Sequence, residues 1–247
     1  YLVQSGDLSK EESENASNRL FANDGQGRFE DVTSSAQATE RGYGMGCACA
    51  DYDGDGWVDL LVTHEWGPVA VWKNQEGKLV NASASAGTKD LLGWWTGIAG
   101  GDLDGDGDMD YTVGNLGLNT KYHASKDKPY LLYFGDLDGS GAPRIVEACH
   151  EDGILYPVRG KSCSTDAMPF LQKKFPTFHD FALATIDDIY SPGQNDDTLE
   201  LKATTLASIL ILNMGEGKFK TRALPTLAQL SPAFGSVMHD FDSDGHL

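Results

Sequence analysis

Short apolar runs alternate with clusters of Gly, Asn and Asp along most of the chain, the pattern of strands joined by tight turns. Three stretches predict β-hairpins: "RLFANDGQGRFEDVT" (Arg19 to Thr33), "VAVWKNQEGKLVNAS" (Val69 to Ser83) and "SILILNMGEGKFKTRAL" (Ser208 to Leu224). In each, an apolar strand leads into a polar turn rich in Asn and Gly, and a second strand opens on Arg or Lys plus an apolar residue. One region has a different period. "DAMPFLQKKFPTFHDFALATIDDIY" spaces its apolar residues as a helix does, with Pro169 and Pro176 as breaks and Thr177 as an N-cap. Residues 162–194 are therefore expected to be a helical insertion, with "SPGQNDD" as an exposed loop at its end.

An acidic motif recurs between these elements: "ADYDGDGWVDLLV" from Ala50, "GDLDGDGDMDYTV" from Gly101, "GDLDGSGAPRIVE" from Gly135 and "HDFDSDGHL" from His239. The leading aspartates Asp51, Asp102, Asp136 and Asp240 are separated by 51, 34 and 104 residues, so the repeat is regular once and then broken. A loop and a hairpin per repeat imply about four strands per unit, the size of a propeller blade. The expected fold is all-β, a propeller of four-stranded blades over residues 1–247 with the helical insertion inside it.

Aspartates on alternate residues repel unless a cation lies between them. When a D-x-D-x-D-G-x-x-D loop curls, its carboxylates surround one point, and the glycines permit the positive φ that curling demands. Calcium takes six to eight oxygen ligands, which four carboxylates, a backbone carbonyl and a water can fill. The first loop offers Asp51, Asp53, Asp55 and Asp59 with the carbonyl of Trp57, and the second Asp102, Asp104, Asp106 and Asp110 with the carbonyl of Asp108. Val58 and Met109, just before the last aspartate, are expected to turn inward and tie each loop to the core. The third loop has Asp136, Asp138 and Ser140, but Arg144 stands where the fourth carboxylate belongs. It is either a weak site or one where the guanidinium replaces the metal's charge. The fourth has Asp240, Asp242 and Asp244 with the carbonyl of His246, and the chain stops before its expected last ligand. An EF-hand also begins D-x-D-x-D-G, but its acid at position 12 is replaced by Val62 and Val113 in the two full loops, and the flanks read as strands.

Composition sharpens this picture. With 37 acidic and 19 basic residues the net charge is −18, and 14 of the acids sit in the four loops, so the acidity has a local cause. Such a surface repels nucleic acid. No apolar run is long enough to cross a bilayer, which argues against membrane insertion. The chain begins and ends in mid-pattern and is expected to be a fragment whose export signal lies upstream. Cys47 and Cys49 fall on one face of a strand and, like Cys149 and Cys163, read as small buried residues. The latter pair would close a short loop if oxidised. The six histidines match no catalytic motif. Trp66, Trp72, Trp94 and Trp95 are expected to pack mainly in the core, with one exposed indole left as a binding platform.

The segment "YGMGCACADYDGDGWVDLLV" resembles the strand, calcium loop and strand of FG-GAP or VCBS-type repeats, found in integrin α-chain propellers and bacterial exported proteins. "RLFANDGQGRFEDVT" is similar to the hairpin of the ASPIC/UnbV and cartilage-acidic-protein group. The resemblance implies a calcium-bearing β-propeller that is secreted, periplasmic or on the cell surface, and a non-catalytic role in adhesion or in binding a protein or carbohydrate ligand. The alternative is a lyase-like enzyme on acidic polysaccharide, with calcium bridging to substrate and Lys121, Arg159 or Lys161 as its basic partner.

Overall fold

The three hairpin stretches pair as their patterns predict. In the computed structural model, which describes residues 18–39, 42–137, 139–190 and 198–247, β1 (Phe21–Asn23) and β2 (Phe29–Asp31) form a two-stranded ribbon. An antiparallel sheet follows in chain order: β3 (Tyr43–Ala50), β4 (Asp59–Gly67), β5 (Val69–Gln75) and β6 (Lys78–Asn81). After the single-turn helix α1 (Ser83–Ala86), the short β7 (Gly93–Trp94) pairs with the far end of β4. A second sheet starts with β8 (Ile98–Gly101) and β9 (Asp110–Val113) and is completed by β14 (Ile209–Asn213) and β15 (Phe219–Ala223).

These sheets belong to one of two compact units, made of the chain up to Lys121 together with Thr205–Leu247. The other unit, Tyr122–Thr204, lies in sequence between β9 and β14. It has its own antiparallel sheet, in which β10 (Tyr130–Gly135) is flanked by β11 (Arg144–Glu151) and β13 (Leu199–Ala203), and β12 (Ile154–Pro157) adds to β11. Between β12 and β13 come the short helices α2 (Lys161–Ala167), α3 (Leu171–Lys174), α4 (Phe178–Leu183) and α5 (Ile186–Ile189). The Thr177 hydroxyl caps α4, accepting from Asp180 N at 3.1 Å, and Thr185 with Asp188 forms a capping box on α5. The "SPGQNDD" loop, Asp138 and the first 17 residues lie outside the described residues.

The protein is thus mainly β, built on four-stranded antiparallel sheets compatible with propeller blades, and none closes into a barrel among the described residues. The two larger sheets of the first unit share one order: strand, acidic loop, strand, strand, hairpin, strand. Only the link between second and third strands differs, being Pro68 in one and a connection that contains the whole second unit in the other.

Strands β4 and β5 read as nearly continuous apolar runs because both of their faces are buried. Leu61, Val69 and Val71 meet Tyr111, Val113, Ile209 and Ile211 of the second sheet, with Trp95 beneath. Leu60, Val62, Ala70 and Trp72 face the other way, onto Leu79, Ala36 and Ala38. The second unit has a separate core, in which Leu131, Val146 and Ala148 of its sheet pack on Leu171, Phe181, Ile186 and Ile189 of its helices.

Several side chains depart from expectation. Cys49 and Cys163 are exposed rather than buried, and Cys149 and Cys163 are not bridged. Cys49 lies one residue before the end of β3, an edge strand of its sheet. Val58 is exposed, because Tyr52 of the same loop already fills the inward position and packs on Phe219 with ring centroids 5.4 Å apart. In the second loop Met109 does pack on the core, as expected. Trp66, Trp72 and Trp95 are buried, Trp94 is half-buried against Trp66, and the exposed indole is Trp57 in the first acidic loop. No helix among the described residues is long and apolar enough to cross a membrane.

Leu61 has no solvent exposure, so Leu61→Ala removes buried methyl groups and leaves a cavity. It should cost about 2 to 5 kcal/mol in a urea titration, whereas the exposed Phe29→Ala should stay within about 0.5 kcal/mol.

Candidate metal centre

Each acidic loop joins the first two strands of its sheet or, in the fourth case, follows the irregular segment after the 3-10 turn Thr226–Gln229. One hydrogen-bond pattern curls all four. In the first, Asp51 accepts from Gly54 N and Asp55 N on Oδ1 at 2.8 and 3.1 Å and from Gly56 N on Oδ2 at 2.8 Å. Asp102 accepts from Gly105 N at 2.8 Å and Gly107 N at 3.0 Å. Asp136 accepts from Ser140 N at 3.0 Å and Gly141 N at 2.8 Å, and Asp240 from Ser243 N, Asp244 N and Gly245 N at 2.6, 3.2 and 2.8 Å. The residue four further on repeats the device two positions ahead: Asp55 accepts from Trp57 N and Asp106 from Asp108 N at 2.9 Å each. Gly54, Gly56, Gly105 and Gly107 have φ between 75 and 94°, which suits a loop that must turn its N–H groups inward around one carboxylate.

The last aspartate of the two full loops is buried and locks the curl to the sheet. Asp59 accepts from Tyr52 N at 3.1 Å and from Asn74 N at 2.7 Å, one oxygen for each. Asp110 repeats this with Leu103 N at 3.1 Å and Asn213 N at 2.8 Å. The two asparagines open the turns of their hairpins, and their side chains also reach back: Asn74 Nδ2 donates to Val58 O at 2.9 Å and Asn213 Nδ2 to Tyr52 O at 2.8 Å. Sequence reasoning gave these asparagines to the turns alone, although their fixed place in "VWKN" and "LILN" was a usable signal.

The curl brings carboxylates together. One oxygen each from Asp51, Asp53 and Asp59 lies within 4.8 Å of the others, and the same holds for Asp102, Asp104 and Asp110 and for Asp240, Asp242 and Asp244. Asp55 and Asp106 lie outside these triads, each with an oxygen on a backbone N–H. Asp136 and Ser140 form no such triad among the described residues. Oδ1 of Asp53 is buried and has no partner.

The electrostatics follow from burial and crowding. Loss of water holds the Asp59 carboxyl above the usual carboxylate range, with the charges of Asp53 and Asp55 adding to it against the pull of its two N–H donors. Asp104 is raised by desolvation and then by Asp106 and Asp110. Asp55 is lowered by the Trp57 N–H and then by Lys73, while Lys73, in contact with Asp53 and Asp55, is pushed above the ordinary lysine range. Asp240 is lowered by its backbone donors, Gly245 first. Triads of carboxylates crowded this closely suit a hard cation with oxygen ligands, and the partnerless oxygen of Asp53 fits one.

Of the basic residues considered for an enzymatic role, Arg159 pairs with Glu147 at 3.5 Å. Lys161 is buried, donating to Gln172 Oε1 at 2.7 Å beneath the Phe178 ring. His64 is buried between Asn18 and Pro68 O.

Comparison with known families agrees with the loops. The model of the FG-GAP-like repeat matches residues 8–62 and again 51–113, so this part of the chain consists of FG-GAP-like repeats and carries both full acidic loops. The match is to the repeat as a whole, without a finer grouping. A search of the curated proteins finds no match.

Asp59→Asn leaves one acceptor oxygen for two buried donors and should destabilise the protein by about 1 to 3 kcal/mol even in chelator, measured by urea unfolding. Asp104→Asn should do the reverse in chelator, raising the melting temperature by removing repulsion, and should shrink any stabilisation by a divalent ion.

Proposed function

We propose that the chain is a calcium-stabilised, non-catalytic β-propeller module that binds a protein or carbohydrate ligand in an extracellular or cell-envelope setting. The observation that carries this reading is the convergence of three carboxylate triads on one backbone cradle. Two unit charges about 4 Å apart repel by about 4 kcal/mol at an effective dielectric of about 20, a cost that a bound cation removes. Oxygen-only ligands on glycine-rich loops favour calcium, whose six to eight ligands tolerate irregular geometry, over magnesium, which demands a rigid octahedron.

Asp51, Asp53, Asp55 and Asp59 with the Trp57 carbonyl would hold one ion, and Asp102, Asp104, Asp106 and Asp110 with the Asp108 carbonyl another. Asp240, Asp242, Asp244 and the His246 carbonyl form a third set. At millimolar external calcium such loops need only modest affinity. The ions would fix the loops rather than act on a substrate, since the carboxylates that crowd them are committed to backbone N–H groups. FG-GAP repeats are typical of extracellular and envelope proteins, which supports the setting.

Thermal unfolding in excess calcium, excess magnesium and chelator tests the reading. Calcium at about 100 times its dissociation constant should add about 2.7 kcal/mol per site and raise the melting temperature by several degrees, with magnesium much weaker. A folded protein whose melting temperature ignores calcium would sink the proposal. In a parallel assay on uronate polymers, the protein should retain polymer without releasing shortened product, and release would favour an enzyme.

A further inference from the structure

We propose that Lys73 is a resident cation of the first acidic loop, and that it makes this loop a weaker divalent-ion site than the second. The inference rests on the reading of both loops as cation sites and adds a determinant of their relative affinity.

The two loops are otherwise built alike. In the first sheet Leu60 lies opposite Trp72, and in the second Tyr111 lies opposite Ile211, each one residue past the last aspartate of its loop. The next residues along β5 and β14 are therefore equivalent: Lys73 in one and Leu212 in the other, followed by the matching donors Asn74 and Asn213. From that position the Lys73 ammonium contacts Asp53 Oδ2 and lies 3.0 Å from Asp55 Oδ2. The pair is partly shielded, with the Lys73 side chain 29% exposed and that of Asp53 11%. Leu212 offers nothing of the kind, and no ion pair reaches an acid of the second loop among the described residues.

A divalent ion entering the second loop only relieves repulsion. One entering the first must also take Asp53 and Asp55 from the ammonium, whose charge then stays close to the incoming ion. The second loop therefore fills at lower ion concentration, and filling of the first releases Lys73. The third loop continues the series with Arg144 in place of the last carboxylate.

Trp57 makes the first loop separately observable. Its exposed indole lies within that loop and can sensitise terbium, a calcium substitute, while the second loop has Asp108 at the same place. Indole-sensitised terbium luminescence, with Trp57→Phe as the control that silences it, gives the midpoint for the first loop. Calcium calorimetry, with Asp104→Asn to identify its component, gives that for the second. Lys73→Met should lower the first midpoint by about tenfold or more and leave the second unmoved. Leu212→Lys should raise the second midpoint by a similar factor and leave the first unmoved. Melting curves in chelator verify that each variant is folded, and the two substitutions on separate strands keep one arm if the other fails to fold.

A first-loop midpoint within twofold of the parent in Lys73→Met, or a second-loop midpoint unmoved in Leu212→Lys, overturns the assignment. So does calcium uptake at the second loop with no terbium signal from the first in either parent or Lys73→Met, since the first loop would then be no ion site at all. If the parent protein takes up no ion at any loop, the cation reading itself falls, which is a distinct result.

Discussion

Two buried carboxylates hold the first unit's sheets in register with their loops. Asp59 and Asp110 each divide their two oxygens between the second residue of the loop and a backbone N–H on the third strand. A neutral side chain of the same shape cannot offer an acceptor oxygen to each donor. Through Asn213 Nδ2 and Tyr52 O the second sheet also touches the first loop, so the two curls are coupled within that unit. The same aspartates that accept these backbone donors also close the triads, Asp51 and Asp59 around Asp53 and Asp102 and Asp110 around Asp104, so one set of carboxylates shapes the loop and crowds its charge.

The four loops form a graded series on one scaffold. Their leading aspartates accept backbone N–H groups in the same pattern whether the loop holds five acids or far fewer, so curling does not require the full charge. Charge can then vary independently of shape. The second loop leaves its acids without a protein counter-ion among the described residues, the first has an ammonium from its neighbouring strand, and the third replaces an acid by Arg144. A fold that separates shape from charge in this way lets sites gain or lose an ion without loss of the sheet.

What could be read from the sequence is what depends on near neighbours. The loops announce themselves because their ligands are two residues apart, and the hairpins because strand, turn and strand are contiguous, as is the Thr177 cap of α4. Interactions that cross strands were hidden. Lys73 meets Asp53 only because β5 lies beside β4, and the fit of Asn74 and Asn213 to buried carboxylates depends on register. Val58 is exposed for a related reason: two side chains of one loop compete for one inward position, and Tyr52 fills it. The exposure of Cys49, two residues along the same strand from the half-buried Cys47, is likewise something no local pattern reveals.

The pairing of β9 with β14 across the entire second unit was the least visible feature, yet its physics is simple. Closing a longer connection costs only about 0.6 kcal/mol for each doubling of its length, provided that the ends can meet. In the second unit they can: β10, near its start, pairs along its length with β13, near its end, and sets Tyr130 opposite Ala203. Its separate core of sheet and helix side chains lets it order itself without borrowing from the sheet it interrupts. In the first sheet the same link is made by Pro68 alone, so the connection between second and third strands is the place where this repeat accepts an insertion. The acidic loops lie on a different connection, between first and second strands, and the second loop keeps its curl and its buried Asp110 beside an interrupted sheet. Separate connections carry the cation site and the insertion, and so a blade can acquire new surface without rebuilding the loop that holds it together.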